Sequence, residues 1–273
     1  MKKEIKVRPF IYFILILAII LSVSYIIEFL LLRKEAIDES NLLNKYNIEI
    51  AKQLQNKQIN IDKINIENIE EQKQTTAVES ERIIKVKQLK QENPDIVGWI
   101  EIPNTNINYP VLQGTDNEYY MTHNYKKEKS KNGSIFLTKE YDWTIPSSNL
   151  LIYGHNMGNG TMFQDLLKYA SQKFYNQHPT IRFTTENEDA EYEIISVFKS
   201  RVYYKSEKNV FRYYYFVNAN TEEEYNQFIT NAKKASLYNI DASAKYGNQL
   251  ITLSTCSYHV KDGRFVIVGR KIE

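Results

Sequence analysis

The chain has a single cysteine, Cys256, among 273 residues. No internal disulfide can form, so a domain outside the cell would rest on its core, and an unpaired thiol there calls for a chemical explanation. An excess of charge of one sign is also lacking. Lys and Arg number 35 against 33 Asp and Glu, a net charge of +2, which leaves no electrostatic footprint for nucleic acid. Residues 35–80 contain no Gly, Pro or Trp, and no small-x-small cleavage site follows the apolar N-terminal run. The second absence argues against a cleaved signal peptide, whose apolar region is also usually shorter than the one found here.

That run, FIYFILILAIILSVSYII over residues 10–27, continues through residues 29–32 after Glu28. A membrane span needs about 20 apolar residues, and Glu28 near the outer end can reach the interface. Lys2, Lys3, Lys6 and Arg8 precede the run and by the positive-inside rule keep the short N-terminus in the cytoplasm, although Arg33 and Lys34 beyond it weaken the asymmetry. The expected organisation is a cytoplasmic N-terminus (1–8), a single-pass signal anchor in the cell membrane (9–32), a stalk (33–80) and an extracellular domain (81–273). In the stalk, Leu42, Leu43, Tyr46, Ile50 and Leu54 recur at spacings near three and four, as on an amphipathic helix. From Ile59 the spacing becomes irregular, and coiled-coil and loose-spacer readings both stay open.

The C-terminal stretch LITLSTCSYHVKDGRFVIVGR, residues 250–270, holds the cysteine. Leu250 to Leu253 form a β-prone run ending in Ser254 and Thr255, so Cys256 falls at a strand end. A second β-prone run begins at Arg264 after Asp262-Gly263, a hairpin signal. Thiol and guanidinium could then face one groove, where a fixed positive charge favours the nucleophilic thiolate. Without such a partner, a lone cysteine is a small buried hydrophobe.

Upstream, residues 81–92 are helix-like and end at Asn93-Pro94, since proline disfavours helix in the residue before it. Strand-like pieces follow at 97–102, 107–112, 133–137, 149–153, 180–183, 191–198 and 249–253, with the last at 264–270. Helix-like pieces lie at 162–170 and 222–232. Trp99 and Tyr109 read as core aromatics. The aromatic-dense stretch 202–217 lacks the basic interleaving of a nucleic-acid surface and suits the wall of a peptide groove. About eight short strands with one or two small helices indicate a closed or partly closed β-barrel. Of the four histidines, His155 follows a buried-looking strand between Gly154 and Gly158, a setting that suits a general acid or base. His259, close to Cys256, ranks second, ahead of His123 and His178.

TLSTC followed by an arginine in the next strand resembles the active-site signature of sortases, the cysteine transpeptidases that attach proteins to Gram-positive cell walls. The TLSTC form, the Gly-Trp-Ile and Tyr-Pro-Val strands near residue 100, and the YGHN stretch at 153–156 are similar to class B. The resemblance covers about residues 81–273. It implies a mainly β fold: an eight-stranded sortase-type barrel with an N-terminal helix and a helix in a late inter-strand insertion, here 221–231, forming one side of the substrate groove.

For chemistry, the resemblance implies Cys256 as nucleophile, His155 as acid and base, Arg264 as oxyanion donor, and Ser254 and Thr255 beside the scissile bond. The expected partners are secreted proteins bearing an Asn-Pro-x-Thr or related sorting motif and a peptidoglycan precursor or stem-peptide amine. No cofactor and no metal is expected. A membrane-anchored cysteine peptidase that hydrolyses its acyl-enzyme and a non-catalytic surface adhesin are the alternatives.

Overall fold

The structure is a computed structural model that describes residues 11–34, 37–38, 80–145 and 147–272. The described residues fall into two units, within 1–43 and 44–273. In the first, helix α1 (Ile11–Lys34) has 24 residues and a mean hydropathy of 2.7, long and apolar enough to cross a membrane. The expected cytoplasmic segment and the stalk residues 42–66 lie outside the described residues.

The second unit begins with α2 (Glu81–Glu92), where the Ser80 hydroxyl accepts a hydrogen bond from the Ile83 amide at 3.3 Å. This satisfies one of the helix's otherwise orphaned donors. Val86 and Leu89 are buried, and so is Lys85, whose ammonium sits 2.9 Å from the centroid of the Trp99 ring. Burial pushes the Lys85 ammonium down to about 6, opposed by the charge of Glu101.

Eight strands follow: β1 (Ile96–Glu101), β2 (Asn108–Leu112), β3 (Ile135–Leu137), β4 (Asn149–Tyr153), β5 (Thr180–Thr184), β6 (Asp189–Arg201), β7 (Leu250–Cys256) and β8 (Gly263–Lys271). They close a barrel in the order β1-β2-β3-β4-β7-β8-β6-β5, with β5 returning to β1. Closure leaves no sheet edge to attract another chain. Most pairs are antiparallel, but β2 with β3 and β4 with β7 are parallel. β7 lies between β4 and β8, so its residues are buried on both faces up to Thr255. Its buried polar side chains are paired, the first through Thr252 Oγ1 donating to Asn149 Oδ1 at 2.9 Å.

One expected element takes a different form. The helix-like stretch at 162–170 is a 3-10 helix, Gln164–Ala170, followed by α3 (Gln172–Gln177). Met162 has a left-handed φ of 56° and forms an isolated bridge with Asn156, which prevents an α-helix from starting there. The late-insertion helix is present as α4 (Glu222–Ala235), capped by Thr221, with acidic residues in its first turn and lysines in its last. Those charges complement the helix dipole. Tyr225, Phe228, Ile229 and Ala232 are buried, and the Ser196 hydroxyl on β6 donates to the Ala232 carbonyl at 2.6 Å.

Candidate active site

Three neighbouring strands bring the candidate residues together. In the parallel β4/β7 pair, Ile152 lies opposite Leu253 and Tyr153 opposite Ser254. The same register, carried two residues beyond Tyr153, sets His155 level with Cys256. In the antiparallel β7/β8 pair, Cys256 lies directly opposite Arg264. Thiol, imidazole and guanidinium therefore leave adjacent strand ends, and all three residues line one cavity of about 250 Å³. Cys256 and Arg264 are half-buried, as is His155, so each is both fixed and reachable.

Hydrogen bonds lock these ends. The Gly154 amide donates to the Ser254 carbonyl at 3.2 Å. Thr255 Oγ1 donates to the Gly154 carbonyl at 2.8 Å, and Asn156 Nδ2 to the Cys256 carbonyl at 3.0 Å. Gly154 serves close packing here: a Cβ at that position would lie 2.4 Å from Ile135 Cδ1 and 2.7 Å from the Phe163 ring. Gly158 has open space around it and no positive φ, so a sharp turn at flanking glycines is not what leaves His155 uncovered. The hairpin also differs from a two-residue Asp-Gly turn. Asp262 carries the positive φ of 55°, whereas a Cβ on Gly263 would fall 2.1 Å from the Ser257 carbonyl oxygen.

His155 Nε2 lies 2.7 Å from the Met121 carbonyl oxygen. A carbonyl only accepts, so Nε2 carries the hydrogen, and the lone pair of the neutral ring is on Nδ1. Arg264 Nη1 donates to the Gly263 carbonyl at 3.0 Å and to the Asp262 carbonyl at 3.3 Å. Among the described residues no group accepts from its Nε or Nη2. Each of the other histidines is held locally. His123 stacks on Tyr119 at 4.0 Å, and His178 Nδ1 bonds the Phe174 carbonyl at 2.9 Å. His259 Nδ1 bonds the Ser257 hydroxyl at 3.0 Å and does not line the cavity.

Ser254 and Thr255 line the cavity, but their side chains are buried and their hydroxyls are engaged internally, Thr255 with Gly154 and Ser254 with the Tyr213 hydroxyl at 2.7 Å. Tyr153, Tyr213, Tyr214 and Val202 form the apolar wall. Burial holds the Tyr153 and Tyr213 phenols well above their ordinary range, and the Arg264 charge only partly offsets it. Both therefore stay neutral at physiological pH.

From the aromatic stretch 202–217, Val202, Tyr213 and Tyr214 line this cavity. Among the described residues α4 contributes nothing to that lining. It backs the wall, with Phe228 stacked on Phe216 at 4.0 Å and meeting Phe211 at 5.6 Å. Asn156, Tyr213 and the Met121 carbonyl were not singled out in the sequence. Asn156 could have been found as part of the YGHN stretch, but nothing local marks the other two. Among the described residues there is no group of three or more His, Cys, Asp or Glu suited to hold a metal ion.

Residues 100–272 match the family described as the Sortase domain. Sortase B of Listeria monocytogenes is 36% identical over 202 residues, covering 72% of this chain and 78% of that protein. Among solved structures, a Staphylococcus aureus sortase B–substrate complex superposes with a TM-score of 0.61 at 30% identity, over 70% of this chain and 85% of that one. The X-ray structure of Clostridium perfringens sortase B gives 0.61 at 31% identity, over 68% of this chain and 99% of that one.

Proposed function

Because the chain belongs to the sortase family and is a class B sortase, a cysteine transpeptidase acting on motif-bearing proteins, we propose that Cys256, His155 and Arg264 are its catalytic residues. The observation that carries this assignment is the alignment of the β4, β7 and β8 ends around one cavity. The Cys256 thiolate attacks the carbonyl carbon of the threonine in an Asn-Pro-x-Thr type sorting motif. Arg264, through the N–H groups not used on the hairpin carbonyls, stabilises the oxyanion. The C–N bond after threonine breaks, His155 passes to the departing amine the proton that its Nδ1 took from the Cys256 thiol, and a thioester remains.

A peptidoglycan stem-peptide amine then attacks the thioester carbonyl carbon. The C–S bond breaks, the thiolate leaves, and the proton lost from nitrogen returns to His155. Ser254 and Thr255 contribute by fixing the backbone beside the scissile bond, their hydroxyls being committed to Tyr213 and Gly154. Residues 9–32 anchor the chain in the cell membrane with 1–8 inside, and 33–80 hold the catalytic domain, 81–273, outside. The α1 length and hydropathy support the anchor.

The test is to incubate the full chain with a sorting peptide, with and without an amine acceptor. Ligated product that rises with acceptor concentration at the expense of hydrolysed peptide is expected. Hydrolysis unaffected by any amine would identify a peptidase instead.

A further inference from the structure

A second concavity adjoins the catalytic cavity. It is an open cleft of about 800 Å³ lined by Tyr119, Glu140, Trp143 and Asp116, among others. A hydrogen bond joins the linings of the two. Asn117 lines the catalytic cavity, and its Nδ2 donates at 2.9 Å to Glu140 Oε2 in the cleft. The single 3-10 turn Tyr119–Met121 gives Tyr119 and Tyr120 to the cleft, while Met121 lines the catalytic cavity and bonds His155.

Trp143 is one of only two tryptophans in the chain and is 41% exposed. An exposed indole is normally free to reorient, yet this one is pinned. Its Nε1 donates to Gln113 Oε1 at 2.7 Å, and the same amide donates from Nε2 to the Thr138 and Tyr141 carbonyls at 3.0 and 2.9 Å. The Tyr141 ring meets the indole edge-on at 4.8 Å. The chain thus holds a partly exposed indole in a fixed orientation where it lines this cleft and a neighbouring concavity, which lowers the ordering cost for a ring laid on it.

The polar groups around the cleft narrow the choice of ligand. Asp95 and Lys127 neutralise each other at 2.8 Å. Asp116, Glu140 and Asp142 remain against Lys139, so anionic ligands are disfavoured. Asp142 and Asp116 are held below the usual carboxylate range, Asp142 by the Thr144 hydroxyl and amide and Asp116 by the Tyr119 and Glu118 amides. They are therefore ionised acceptors lining the same cleft as the pinned indole, a set of groups that suits a neutral polyhydroxylated ring, with its C–H face on the indole and its hydroxyls on the carboxylates.

We propose that the Trp143 cleft binds an amino-sugar ring of the glycan that carries the acceptor amine, positioning the stem peptide to reach the thioester on Cys256. This rests on the acceptor being derived from peptidoglycan, as argued above.

The test has two arms, both on the full chain in detergent micelles. In the first, saturation-transfer NMR with triacetylchitotriose shows transfer to the sugar, lost in Trp143→Ala and partly kept in Trp143→Tyr. No transfer in the wild type, or full transfer in the alanine variant, overturns the proposal. So does displacement of the signal by a lysine-rich peptide that itself binds more tightly, which would make the cleft a basic-peptide site.

In the second arm, a stem peptide carried on its disaccharide has a KM about five- to tenfold lower than the bare peptide, the scale of one stacked ring. In Trp143→Ala this ratio falls toward one. Equal KM values in the wild type, or a ratio that the variant leaves unchanged, refute the glycan role. If neither acceptor is used while the thioester hydrolyses, the transpeptidase reading fails, and the NMR arm still decides the cleft.

Discussion

Replacing Arg264 by lysine keeps a positive charge beside Cys256 and removes a planar fork of donors. Arg264 spends Nη1 on the Gly263 and Asp262 carbonyls, at 3.0 and 3.3 Å, and these bonds orient the guanidinium so that its remaining N–H groups can serve a substrate. A lysine ammonium is a single point on a flexible stem. If it bonds the hairpin carbonyls it is withdrawn from the cavity, and if it enters the cavity the hairpin bonds are lost. Losing one oxyanion donor costs roughly a hundredfold to a thousandfold in rate, about 2.7–4 kcal/mol.

Acylation by a sorting peptide, followed as the burst of released amine, is therefore expected to fall by about that factor. Alkylation of Cys256 by iodoacetamide needs only the thiolate and is expected to change little. Peptide turnover near the wild-type rate would refute the oxyanion role and leave Arg264 as an electrostatic or structural residue. A parallel collapse of alkylation would instead assign it to thiolate formation.

His155→Ala is expected to lose nearly as much turnover as removal of the thiol, whereas His259→Ala, whose ring bonds Ser257 outside the cavity, keeps most of it; the reverse ranking in a steady-state peptide assay would show the wrong histidine was chosen. Lys85 gives a pH prediction. Its folded pKa is depressed to about 6 from 10.5, so between those values the unfolded chain binds more protons, and stability rises with pH across that window and levels off below it. Urea unfolding of the full chain from pH 6 to 9.5 should show a rising midpoint, flatter in Lys85→Met; an unchanged slope in the variant would mean the buried Lys85 amine is not its source.

The barrel was largely legible because each strand carries its own apolar run and turn punctuation, and all eight runs became strands. Ends were less so. The apolar pattern of β6 fades at Phe198, but the strand continues to Arg201 because β8 supplies partners as far as Gly263, a long-range effect that no local window contains. The 3-10 helix at Gln164–Ala170 departs from the helical pattern for a local reason, the left-handed Met162 bridged to Asn156, which apolar spacing does not register.

At the site, the Cys256–Arg264 pairing could be anticipated because a hairpin is local. The meeting of His155 with Cys256 could not be derived that way. It depends on a parallel register between strands distant in sequence; the sequence offered only the strand-end setting of His155 and the YGHN resemblance. The hydroxyls of Ser254 and Thr255 looked available in the sequence because nothing there reveals that Tyr213 and Gly154 already occupy them.

The central claim is that the thiol of Cys256 carries the acyl group. The direct measurement is to quench the full chain during turnover of an Asn-Pro-x-Thr peptide and map the adduct by mass spectrometry. The account predicts a hydroxylamine-labile acyl mass ending at the motif threonine, on the peptide containing Cys256 and absent from Cys256→Ala. An adduct on another residue, or peptide cleavage retained by Cys256→Ala, would contradict it.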